Sequence, residues 1–140
     1  MTTSLYTTLL AVFTAFAIGC SLSPSASELA LFCKWSGIGL PSSAKPLSFR
    51  NRTFQDPMLW LQVEISKNEA ENWLNSPQFR NMTMRTNNPF GLGMFEGFYR
   101  KRPSRFRSGS LQCSSNTFLE VLIDDGRAPN ALVYFFFTGT

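Results

Sequence analysis

The sequence predicts an α+β fold: a two-layer sandwich in which one main helix packs across an antiparallel sheet of four to five strands. Three observations carry this prediction. Residues 58–65 and 116–125 alternate apolar and polar side chains, the period of a half-buried strand. Residues 66–77 switch to helical spacing behind a capping signal. The 140 residues are 44% hydrophobic and include 14 Phe, an aromatic load that suits strands and a packed core better than a helical bundle.

Taken in order, residues 28–34 (ELALFCK) are apolar enough for a short helix or a first strand, and they bring Cys33 to the body. SGIGLPSSAKP at 36–46 is loop, broken by Gly37, Gly39, Pro41 and Pro46. LSFRNRTFQ at 47–55 alternates, with Leu47, Phe49 and Thr53 on one side, and Asp56-Pro57 is turn chemistry. In MLWLQVEI at 58–65, Leu59, Leu61, Val63 and Ile65 share one face and Gln62 and Glu64 the other. Ser66 and Glu69 then form an S-x-x-E capping box, Ala70, Trp73 and Leu74 share a helical face, and Asn75 and Pro77 end the helix. Residues 78–110 mix aromatics, Gly and Arg, with a strand placed at 94–102. Leu119, Val121 and Ile123 mark one face of the next strand, and DGRAPN is a turn. ALVYFFFTG at 131–139 is apolar on both sides, so this strand is either covered twice or meets a partner. The last two strands form a hairpin. Residues 28–140 are thus one domain.

Composition narrows the chemistry. The chain has no histidine, which removes the commonest general base, the Ser-His and Cys-His pairs and the commonest metal ligand. A net charge of +4 favours anionic surfaces only weakly and does not argue for nucleic acid. Arg100, Lys101, Arg102, Arg105 and Arg107 crowd into YRKRPSRFR. Two readings stand open: a contact for anionic head groups or an acidic partner, or a solvated edge strand whose charges prevent aggregation. NNPFGLGMFEGF at 87–98 is an apolar loop, either docking outward or tucked into one end of the core. Ser42 and Lys45 fit S-x-x-K, but Pro41 and Pro46 are hostile to the helix that pairing needs. Gly37 and Gly39 lack the third glycine of a phosphate cradle. Asp124-Asp125-Gly126 is a turn signature before it is a carboxylate pair. No catalytic constellation, metal site or cofactor is expected.

The amino-terminal segment supplies an address. Residues 1–19 hold no charged side chain and centre on an apolar run from Leu9 to Ile18, too short to span a bilayer and of the length of a signal-peptide core. SLSPSAS follows, so residues 20–27 read as a flexible tether. AIGC at Ala17–Cys20 resembles a bacterial lipobox, with Gly19 and Cys20 at its two tightest positions. The resemblance implies that Cys20 carries diacylglycerol, becomes the new N-terminus on cleavage after residue 19, and often takes a further palmitate-type chain. Ser21 after it implies export to the outer membrane, facing the periplasm. A secreted, unacylated form cut after Ala17 is the rival. With Cys20 acylated, Cys33 and Cys113 are the two thiols that remain, and they are expected to pair in an oxidising compartment. In the chain-entropy account such a long loop is worth about 4–5 kcal/mol at most. GIGLPSSAKPL, FQDPMLWLQVEIS and AENWL together resemble small envelope lipoproteins of no assigned activity.

The expected function is therefore a lipid-anchored envelope lipoprotein acting as a non-catalytic binding module. It is held on the bilayer through Cys20 and partnered by an envelope protein or an anionic envelope component. One alternative is a small envelope hydrolase using Asp56 and Glu64, or Ser42 with Lys45. Another is a soluble secreted inhibitor or immunity-type protein.

Overall fold

A computed structural model of the protein describes residues 23–52, 55–98, 101–127 and 129–139. The expected signal segment 1–19, Cys20, the first tether residues, Thr53 and Arg100 lie outside the described residues.

The first element among the described residues, helix α1 (Ala26–Ser36), begins inside the stretch expected to be a tether. Ser25 caps it: its Oγ accepts from the Glu28 amide at 3.2 Å, while Glu28 Oε1 accepts from the Ser25 amide at 2.9 Å. This reciprocal box, S-x-x-E in SASE, satisfies two amides that would otherwise lack partners. Gly37, with φ +72°, closes the helix in the left-handed region that a side chain would disfavour.

Strands β1 (Lys45–Arg52) and β2 (Met58–Ser66) form an antiparallel pair, and helix α2 (Lys67–Leu74) follows β2 directly. Ser66 is both the last strand residue and the helix cap, its Oγ accepting from the Glu69 amide. A 3₁₀ turn (Pro77–Phe79), the two-residue strand β3 (Arg85–Thr86) and the short helix α3 (Pro89–Gly93) lead to β4 (Phe106–Ser114). Strands β5 (Thr117–Asp124) and β6 (Asn130–Gly139) complete one six-stranded antiparallel sheet, in the order β1-β2-β6-β5-β4-β3.

The α+β class and the antiparallel sheet agree with the sequence. Among the described residues the strand count is six rather than four or five, because β4 and β3 replace the strand expected at 94–102, where residues 94–98 are turns. A second correction concerns the layers. One face of the sheet carries Leu59, Leu61, Val63 and Ile65 of β2, Val133, Phe135 and Phe137 of β6, and Leu119, Val121 and Ile123 of β5. Phe32 of α1 and Ala70 and Trp73 of α2 close over it. The opposite face carries Leu122, Leu132, Tyr134 and Phe136, and the 89–98 segment closes over that through Leu92, Phe95 and Phe98. The sheet is therefore covered on both sides, which explains the apolar run of β6: alternate residues enter alternate cores. The GLGMF stretch is core and does not dock outward.

A bulge between Pro46 and Ser48 breaks the period of β1. It sends Leu47 to the second core and leaves Phe49 on the first, so the two do not share the face their spacing predicts.

Candidate functional site

The 89–98 segment leaves part of the second face open. Above β1, β2 and β6 lies a cleft of about 450 Å³, within the range typical of small-ligand sites. Its floor is built in rows by strand register. Ser48, Gln62 and Tyr134 lie directly opposite one another across three strands. Ser48 Oγ donates to Gln62 Oε1 at 2.9 Å, and Gln62 Nε2 donates to the Tyr134 hydroxyl oxygen at 3.2 Å. Gln62 is buried, so this chain satisfies an amide that would be costly to leave unpaired.

The neighbouring row is Arg50, Trp60 and Phe136. Trp60 stacks on Phe136 with ring centroids 4.8 Å apart and donates its indole N–H to the Met94 carbonyl at 3.4 Å. The Arg50 guanidinium carbon lies 5.9 Å from the Trp60 ring centre and 5.5 Å from that of Phe98. Two aromatic rings thus hold one cation at the cleft wall. Among the described residues it makes no ion pair. At the other end, Glu64 accepts from Asn130 Nδ2 at 3.1 Å, and Arg127 donates Nε to Asp124 Oδ2 at 3.3 Å.

A second hollow of about 380 Å³ crosses β4 and contains Arg85, Asn88, Ser110 and Glu120. Burial pushes the Glu120 carboxyl pKa up, and the Ser110 hydroxyl partly opposes that by bonding to it.

The cationic cluster divides. Arg107 faces α2 and holds Glu71 and Asp125, the latter through Nε at 2.8 Å. These bonds drive its pKa further up, and its charge is paired with carboxylates of the same domain. Lys101, Arg102 and Arg105 are exposed on the non-strand segment that leads into β4. The Asp124-Asp125-Gly126 turn is formed as its residues predict: Asp124 accepts the Gly126 amide at 3.0 Å and Asp125 accepts Arg107.

Cys33 and Cys113 both pack against the first core as free, half-buried thiols. The expected bond between them is not formed; Cys113 Sγ instead lies 3.9 Å from the Leu111 carbonyl of its own strand. Burial raises the Cys113 pKa, which disfavours the reactive thiolate. Of the residues weighed for catalysis, Ser42, Lys45 and Asp56 are exposed, and Glu64 lines the cleft alone among them. Among the described residues no three His, Cys, Asp or Glu side chains converge in a way that would hold a metal ion.

No residue of the Ser48–Gln62–Tyr134 row is singled out by the sequence beyond Gln62's outward position. The register that aligns them joins residues 14 and 72 positions apart in the chain. No family model, curated protein or solved structure matches the chain.

Proposed function

We propose that the chain is an envelope lipoprotein, anchored through Cys20, whose domain works as a non-catalytic binding module with the second-face cleft as its binding surface. One observation carries the binding part. The cleft's hydroxyls and amide are bonded to one another in the Ser48–Gln62–Tyr134 row, a line of neutral polar groups across its floor. Such a floor offers hydrogen-bond donors and acceptors to a polar ligand. The exposed Lys101, Arg102 and Arg105 add a weak preference for anionic surfaces on the same domain. The anchoring part rests on the apolar run ending at AIGC.

Fractionation tests the anchor. The wild-type chain is expected in the membrane pellet, retained at high salt and released by detergent, with an intact mass that includes acyl chains. Cys20→Ser is expected in the soluble fraction. A soluble, lipid-free wild type, or a variant that stays in the pellet, overturns the reading.

A further inference from the structure

We infer that the second-face cleft takes a small hydroxylated ligand bearing one oxyanion, an acidic sugar in its chemistry, with the charge on Arg50 and the hydroxyls on the Ser48–Gln62–Tyr134 row. The inference rests on the binding-module reading and adds to it the ligand's chemistry.

Arg50 is the starting point. A guanidinium on a strand next to solvent ordinarily moves freely and loses rotamer entropy when it binds. Here the Trp60 and Phe98 rings lie 5.9 and 5.5 Å from its carbon, and Trp60 is itself fixed by Phe136 and by the Met94 carbonyl. Ring contacts of this kind engage the flat face of the ion and leave its edge donors for a planar acceptor. Among the described residues Arg107 and Arg127 each have a carboxylate within 3.3 Å, and Arg50 has none. A positioned cation lining a cavity without a counter-ion selects an anion, and a carboxylate or a phosphate fits its fork.

The polar row lies two residues along the same strands, about 7 Å from Arg50 at the strand rise. Its groups are small, neutral donors and acceptors, suited to hydroxyls rather than to a second charge. The space, about 450 Å³, equals about 15 water molecules at ~30 Å³ each. That accommodates one or two sugar rings. Glu64 lines the far end beside Arg127, whose charge is already paired with Asp124, so a second anionic group placed there meets a like charge. The cleft therefore favours one oxyanion at one end of a hydroxylated body.

The test uses the full chain in detergent micelles and follows the indole N–H resonances. Trp60 reports the cleft, and Trp35 and Trp73, which pack on the opposite face, report the fold. The probes are glucuronate, glucose 6-phosphate and glucose. At least one of the two acids is expected to shift Trp60 saturably, and the acid that saturates at lower concentration assigns carboxylate or phosphate. Glucose is expected to bind about tenfold or more weaker, the worth of a charge-assisted fork. Arg50→Gln is expected to lose the same factor with Trp35 and Trp73 unmoved, and Arg50→Lys to recover part of it. Equal binding of glucose, undiminished binding by Arg50→Gln, or no saturable shift with either acid overturns the inference. A silent cleft leaves membrane fractionation unaffected, and loss of anchoring leaves the titration unaffected, so the two failures are distinguishable.

Discussion

At the scale of single residues, the polar groups that face the sheet differ in how well their surroundings suit them. Gln62 is buried, with its amide oxygen bonded to Ser48 and its amide nitrogen to Tyr134. Glu120 is half-buried with the Ser110 hydroxyl as its compensation, and burial lifts its pKa. A carboxyl raised in the folded state stabilises the fold only while protonated. That contribution is complete below the ordinary glutamate value of about 4.3 and is lost as pH rises through the raised value. Glu120→Gln keeps the shape and cannot ionise. Thermal melts should therefore place the variant above wild type at pH 7, with the gap closing as pH falls towards 4. A gap that stays constant with pH would show that ionisation plays no part.

At the scale of elements, β4 is the case where composition misleads. FRSGSLQCS has three apolar residues, Phe106, Leu111 and Cys113, and a glycine, and lacks the contrast that marks β2 and β5. It becomes a strand because β5 supplies eight paired positions beside it, and because both of its faces are approached closely. A Cβ on Gly109 would lie 2.7 Å from Met84 Sδ and 2.9 Å from the Thr83 carbonyl, so only glycine fits. On the other side a Cβ on Gly91 of α3 would lie 2.6 Å from Ser108 Cβ. Gly91→Ala is expected to cost about 1–3 kcal/mol in urea unfolding, as overpacking does. Ser108→Gly removes the opposing atom, so the double variant should be more stable than the two single losses summed. Strict additivity would mean that the helix and strand are not in contact there. By contrast, the Ser25–Glu28 box of α1 is written locally in SASE, and only the small polar composition around it disguises the helix start.

At the scale of the whole molecule, one sheet serves two cores. Phe135, fully buried, meets Phe32 and Trp73 at centroid distances of 5.4 Å on one side. Tyr134 meets Phe95 at 6.0 Å on the other. Because β6 alternates between them, neither core can come apart while the other keeps its shape. Unfolding is expected as one transition, with Trp fluorescence and far-ultraviolet circular dichroism coincident. Phe135→Ala and Phe95→Ala should each destabilise the fold in that same transition by about 3–5 kcal/mol. Two separated transitions in either variant would show that the cores are independent.

The sequence by itself determined what local periodicity and capping chemistry determine. It marked β2 with its buried face, the Ser66 cap and helix α2, the apolar faces of β5 and β6, and the Asp124–Gly126 turn. Each of these is encoded within about ten neighbouring residues. It also shows the apolar run that stops at Cys20. Tertiary structure decided the rest: the six-strand order, the second layer built by residues 89–98, the internal use of Arg107, and the cleft. Ser48, Gln62 and Tyr134 meet only because antiparallel register aligns three distant strands, and Arg50 is held only because Phe98 arrives from elsewhere in the chain. Such pairings depend on which strand lies beside which, and the alternation within a single strand carries no record of its neighbours.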